Sequence, residues 1–294
     1  MCQPDPYIMK DGGTYYLYST GGYCYSSKSL LSGWTFQGKC LDDRGQKSVW
    51  APCVIKLDGR FYMYYSSVDA GLDGDHMQTM RVAVSDSPCG PFLDPRKILP
   101  PFSIDAHTVK TPGGLFLFYS TNSYSGPRIG TVIRCDRLSD PYTPEGHPVD
   151  VVVPTIDEEI FQRNRFRQGQ DWHTIEGAFY FHHDQTHFLM YSGACYQNPT
   201  YFIGYAVAHG PEDADLRALE WRKYPSADVY QPLMRSSDKA EGVGHNSVIC
   251  DGGRYYVVYH GRQAGTHEAP GEDLRLARID EMRIDGDRLS VIIT

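Results

Sequence analysis

Long apolar runs are missing from this 294-residue sequence. None approaches the roughly 20 residues that a membrane-spanning helix needs, which argues against a helical membrane protein. Basic clusters are missing as well. The 28 Lys and Arg face 36 Asp and Glu, a formal charge of −8, and they are scattered along the chain. That leaves no patch for nucleic acid or for an anionic membrane surface. No glycosylation sequon is present, because Asn198 is followed by Pro199. The cysteines are Cys2, Cys24, Cys40, Cys53, Cys89, Cys135, Cys195 and Cys250, with no C-x-x-C pair among them, so a zinc site is not expected. A chain of this size needs no disulfide staples, and we expect free, mostly buried thiols in a reducing compartment. No charged-then-apolar leader precedes the first structured segment. Together these features predict a cytoplasmic protein, or a secreted one whose leader has been removed. Helical periodicity is poor throughout, with one short turn expected near 213–219.

Aromatics are abundant instead, with 22 Tyr, 12 Phe and 4 Trp beside 29 Gly and 19 Pro. Such a composition suits many short strands joined by tight turns. The opening stretch "DPYIMKDGGTYYLYST" shows the arrangement: a polar head at Asp5, a short apolar strand, a Gly-built turn, then an aromatic strand closing on Tyr18. Four later stretches repeat it, beginning at Trp50, Asp105, Glu176 and Gly244 and closing on Tyr65, Tyr119, Tyr191 and Tyr259. The closing tyrosines step by 47, 54, 72 and 68 residues, and the heads Asp5, Ala51, Asp105, Glu176 and His245 lie 13 to 15 residues before them. Segments such as "RVAVSDSPCGPF" and "YFIGYAVAHGPED" supply outer strands. A repeat near 50 residues with several strands per unit predicts an all-β chain folded as a single five-bladed β-propeller over 1–294. A generic β-sandwich with chance similarity between hairpins is the alternative.

In a propeller the first strand of each blade lines the axis, so the five heads converge at one rim. Asp5, Asp105 and Glu176 would then share a mouth, where three carboxylates repel and lose hydration. Taken singly, each acid would serve equally as a turn or capping residue. No Gly-His…Trp-Asp periodicity of the protein-interaction propellers is present.

The sequence resembles glycoside hydrolase family 43, five-bladed propeller enzymes acting on arabinose- and xylose-containing glycans. The likeness rests on "PDPYI", the "WAP" triplet, "SIDAH", "TIEGAF", "GHNSV" and "VAVSDSPCGPF", in family order and at family-like spacing. It implies that Asp5 is the general base, Glu176 the general acid, and Asp105 the carboxylate that orients the acid and keeps its pKa up. It also implies substrate contacts from Arg275 in "DLRLARIDEM" and a role for His245. In part of the family the equivalent histidine helps hold a structural calcium in the central channel, although an imidazole is an unusual partner for a hard cation. A histidine hydrogen-bonded there without metal fits equally. Trp50 and Trp172 offer faces for a sugar ring, or pack the core, which is the simpler reading for Trp172.

The expected activity is inverting release of terminal α-L-arabinofuranose, with no cofactor required and a carbohydrate as the partner. Endo-arabinanase or β-xylosidase action on the same scaffold is the alternative, as is a non-catalytic sugar-binding propeller. The absence of a downstream β-sandwich tells against the xylosidase reading. The insert "VVVPTIDEEIFQRNRFRQGQDWHT" is expected to wall one end of a cleft, and "DAGLDGDH" to form a polar loop.

Overall fold

The computed structural model describes residues 2–266 and 274–294. It is all-β: among the described residues the only helical elements are two 3-10 turns, Asp75–Met77 and Asp157–Glu159. Residues 213–219 form turns and no helix. No helix is long and apolar enough to cross a membrane.

The strands form antiparallel meanders in chain order. Residues 7–39, 46–97 and 240–291 each make a four-stranded sheet. Residues 104–152 and 160–223 make two further meanders, joined into one ten-stranded sheet where Gly130 and Thr131 pair in parallel with His173 and Thr174. The opening strands are Tyr7–Asp11, Gln46–Leu57, Ile104–Thr111, Trp172–His183 and Ala240–Asp251. Each packs against the next, and the fifth packs back on the first. The last meander is built wholly from C-terminal strands, and the N-terminal residues are tied to it where the Gln3 amide donates to the Arg275 carbonyl at 2.9 Å.

Apolar packing follows the same ring. Five buried clusters each draw residues from two neighbouring meanders, as in the Tyr18–Tyr65–Phe92 cluster or the Ile8–Leu17–Val258 cluster that joins first to last. The closing tyrosines are all buried, and the two that end the first and fifth repeats spend their hydroxyls on Pro88 O and Asp280 Oδ2. A meander alone would leave both of its faces wet, so closure of the ring is what completes every cluster.

None of the eight cysteines is in a disulfide, and Cys24, Cys40, Cys53, Cys135 and Cys195 are buried.

Candidate active site

The heads of the opening strands share an unusual backbone. Asp5, Ala51, Asp105 and His245 all have φ between 44° and 56°. In the fourth repeat the left-handed position belongs to Gly177, at φ 63°, and not to Glu176. A β-bulge interrupts the pairing just beyond the head in the second to fifth opening strands, the usual device for re-aiming a side chain next to a site. Glu176 is therefore the counterpart of Trp50 and Ile104, one residue earlier, and reaches the same mouth from that position. The glycine at 177 is required locally: a Cβ there would lie 3.2 Å from the His245 ring. Gly244, beside the head of the fifth repeat, is needed for Tyr201, whose ring would sit 1.8 Å from an added Cβ.

Asp5, Asp105, Glu176, Trp50, His245 and Arg275 all line one cavity of about 120 Å³. The structure thus brings these six residues together; Trp172, the other ring the sequence offered, does not line this cavity. Thr20, Tyr196 and Tyr201 join them. Asp273 of the Arg275 motif lies outside the described residues.

Asp5 is held by several groups. Thr20 donates its hydroxyl to Oδ2 at 2.5 Å. Arg275 Nη1 stands 3.4 Å from Oδ1, His245 Nδ1 3.5 Å and His260 Nδ1 3.3 Å. The Asp5 amide donates to His260 Nδ1 at 3.1 Å, which puts the proton of the neutral ring on Nε2. Burial alone would raise the Asp5 carboxyl, but Arg275, His245 and His260 outweigh it and hold it far below the usual carboxylate range. Burial lowers His260 to about 4, leaving it neutral near pH 7.

The other two acids shift the opposite way. Burial first, then the charge of Asp5, lifts Glu176 to about 7, against the pull of Arg275 and of the Tyr201 hydroxyl, which donates to Oε1 at 2.8 Å. Burial also pushes Asp105 well above its usual value, helped by the charges of Glu176 and Asp5 and opposed by the Gly177 amide, which donates to Oδ2 at 3.2 Å. Two neighbouring carboxyls that both resist ionisation retain a proton between them near neutral pH.

His245 is fixed by its own amide, which donates to Ser192 Oγ at 2.7 Å, and its Nδ1 also lies 4.0 Å from Asp105 Oδ2. Among the described residues no three His, Cys, Asp or Glu side chains converge as metal ligands. A cation beside His245 would have to draw most of its shell from water, and the donor set is a poor match for a protein-held calcium.

A larger cavity of about 500 Å³ adjoins the acid pocket and shares Trp50, Ile104, Glu176 and Tyr196 with it. Trp172 is buried at its back and packs against Tyr124 and Phe166, so it serves the cleft wall as well as the core. The insert reaches this wall through Phe161, Arg165 and Phe166, and Asp75 and His76 of the expected polar loop line it too. His182 and His183, at the turn of the fourth repeat, are half-buried; the His182 ring meets that of His187 at a tilt and His183 bonds the Tyr255 hydroxyl.

Thr20, Tyr196, Tyr201 and His260 escaped the sequence reading. His260 had a signal: the closing tyrosine is followed by Ser19, Ser66, Ser120 and Ser192 in four repeats and by His260 in the fifth. Tyr201 had none, since its function depends on the Gly244 contact across a meander boundary.

A charged carboxylate and a proton-bearing one that face a single small pocket, with a cleft beside them, are the working parts of a glycosidase. The chain belongs to glycosyl hydrolases family 43, whose profile matches residues 1–287. It is 25% identical over 285 residues to an extracellular exo-α-(1→5)-L-arabinofuranosidase of Streptomyces avermitilis, covering 88% of this chain and 54% of that one. A 72-residue stretch, 21% of this chain and 23% of the relative, is 44% identical to a probable arabinan endo-1,5-α-L-arabinosidase C of Aspergillus flavus. The chain thus spans about half the length of the first relative and a short part of the second. Among solved structures, a thermostable family-43 glycoside hydrolase superposes with a TM-score of 0.81 at 30% identity, over 98% of this chain and 92% of that one.

Proposed function

We propose that this chain is a single five-bladed β-propeller that removes terminal α-L-arabinofuranose units with inversion of configuration. One observation carries the reading: Asp5 is kept charged and Glu176 is kept protonated within the same pocket. Asp5 takes a proton from a water molecule whose oxygen attacks the anomeric carbon. The glycosidic C–O bond breaks as Glu176 gives its proton to the leaving oxygen. Asp105 shares a proton with Glu176 and, by accepting from the Gly177 amide, fixes the turn that aims it. Arg275 holds Asp5 in its charged form and itself lies over the Tyr196 ring, 4.5 Å from its centroid. The reaction uses carboxylates and water, and no cofactor takes part in it; a channel calcium is structural in this reading.

Exo action is favoured by the small volume around the three acids and by the match along most of the chain to an exo-acting relative. The short Aspergillus match supports the endo reading over about a fifth of the chain. As to compartment, the free thiols support the cytoplasm, and the extracellular Streptomyces relative supports export.

Proton NMR of the first sugar released from methyl α-L-arabinofuranoside tests the mechanism. Inversion yields the β-anomer before mutarotation. An α-anomer seen first would make Asp5 a nucleophile and overturn the assignment.

A further inference from the structure

Glu176 stands at the junction of the two cavities: it lines both, whereas Asp5 and Asp105 line only the smaller. An acid that protonates the leaving oxygen must face the leaving group, and the water activated by Asp5 must approach from the other side of the sugar. The smaller cavity therefore takes the sugar that is released, and the larger one takes what remains. This assignment of sides rests on the roles given above to Asp5 and Glu176.

The wall of the larger cavity has its own architecture. Tyr124 and Phe166 are 69% and 58% exposed, against the general tendency of large apolar side chains to be covered. They are not loose. The Tyr124 ring lies 5.4 Å from the buried Trp172 ring, and Phe166 meets the same ring edge-on at 5.7 Å. The Arg165 guanidinium lies 5.2 Å from the Trp172 centroid and 5.7 Å from that of Phe166. The turn that carries Arg165 and Phe166 is braced from within: Asp171 accepts the Asn164 amide at 2.8 Å and pairs with Arg163, and Asn164 Oδ1 accepts the Gly169 amide. Two exposed rings are thus anchored on a buried indole beside the proton donor. Arg165 makes no ion pair among the described residues, so its N–H groups are available to hydroxyls.

We propose that Tyr124 and Phe166, backed by Trp172 and bridged by Arg165, hold the leaving portion of the substrate, a neutral oligosaccharide chain that stacks its sugar faces on these rings. The insert 160–171 then sets the preference for chain length, while the acid pocket sets the identity of the sugar released. Flat apolar rings with few charges suit the C–H faces of a sugar, and guanidinium donors suit its hydroxyls.

The test compares methyl α-L-arabinofuranoside, whose leaving group is too small to reach the rings, with 1,5-linked arabinotriose. Tyr124→Ala and Phe166→Ala should each lower kcat/KM on the trisaccharide roughly tenfold, about the size of one well-made ring contact. Turnover of the methyl glycoside should stay within about twofold of wild type. Both rings are exposed, so the variants should fold. A trisaccharide-to-methyl ratio that does not change would overturn the inference. So would a parallel loss on both substrates, which would mean that the rings support the site and do not hold the chain. A second measurement is independent of turnover: quenching of tryptophan fluorescence when Glu176→Gln is titrated with arabinotriose. Saturable binding weakened by Phe166→Ala supports the proposal, and equal binding with and without that ring sinks it. Failure of the wild-type protein to hydrolyse the methyl arabinoside counts against the proposed function instead. The same titration with xylotriose then decides the role of the rings.

Discussion

The two ends of the opening strands use one backbone conformation for opposite purposes. At the turn ends, Gly12, Gly13, Gly59, Gly252 and Gly253 are left-handed, as are Asp58 and Asp184, and an added Cβ at any of these glycines meets nothing within 4 Å. These glycines are there for the conformation, which in L-residues costs roughly 1–2 kcal/mol and in glycine almost nothing. At the rim ends the same conformation is held by Asp5, Ala51, Asp105 and His245, with Gly177 as the single glycine. At Asp5, Asp105 and His245 the strain remains because the side chain is needed. A left-handed head followed by a bulge turns carboxylate and imidazole toward the axis, where a regular strand would send alternate residues to the two sheet faces.

The sharpest way to break this contrast is to remove the rim side chains. Asp5→Asn and Glu176→Gln should each lower kcat on methyl α-L-arabinofuranoside by about 10²-fold or more, through loss of the base or of the acid. Gly12→Ala, at the other end of the first strand, should leave kcat unchanged while lowering stability by about 1 kcal/mol. Initial-rate kinetics together with thermal unfolding separate the two outcomes. Near wild-type turnover in either acid variant would remove the functional half of the comparison.

The next effect is a shift and not a loss. The acid must be protonated to work, so activity should fall as pH rises through about 7, the value to which Glu176 is lifted. Asp5 is held far below its usual range, so the acidic limb should lie well under that of an ordinary aspartate. Asp105→Asn replaces a group that can carry negative charge with one that cannot, and a lost negative neighbour lowers the pKa of Glu176. The basic limb of the kcat–pH profile should therefore move to lower pH, with the acidic limb nearly fixed. An unmoved basic limb would show that Asp105 keeps its proton across the whole range and acts by position alone.

These residues were legible in the sequence to different depths. Asp5 and Asp105 stand at corresponding positions in their repeats, so the fivefold pattern exposes both. Glu176 was found by the same pattern, yet its true offset was not, because one residue of slack in a spacing of 13 to 15 hides the bulge. His260 was visible only as a departure from four serines. The cleft wall was least legible: that Phe166 would sit on Trp172 depends on how the turn around Asn164 and Asp171 folds back, and a string of charged and apolar letters does not state that.

His260 gives a smaller, more specific test. His260→Ser restores the residue that the other repeats carry. It removes the acceptor of the Asp5 amide and one of the groups that keep Asp5 ionised. The acidic limb should move up, because less now holds the Asp5 carboxyl low, and kcat should drop several-fold. The basic limb, set by Glu176, should stay. A fall in rate with both limbs unmoved would mean that His260 supports packing against Tyr201, on which it stacks at 5.7 Å, and does not tune the base.

The smallest expected effect reads the rim strain directly. Ala51 and Ala83 are both buried, at 3% and 0% exposure, but only Ala51 has a positive φ, 44°. Replacing either by glycine removes one buried methyl, worth about 0.8 kcal/mol, and frees the unfolded chain by roughly 0.4–1 kcal/mol. At Ala83, inside the regular strand Thr79–Ser85, nothing offsets these costs, and the protein should lose about 1–2 kcal/mol. At Ala51 the relief of a left-handed alanine, about 1–2 kcal/mol, nearly cancels them. Ala51→Gly should therefore leave stability within about 0.5 kcal/mol of wild type. Its amide bond to Thr20 Oγ1, at 2.9 Å, does not involve the side chain and should persist. Chemical denaturation of the two variants side by side is the measurement. Equal losses at both positions would mean that the left-handed heads carry no strain, and the contrast between the two strand ends would then rest on side chains alone.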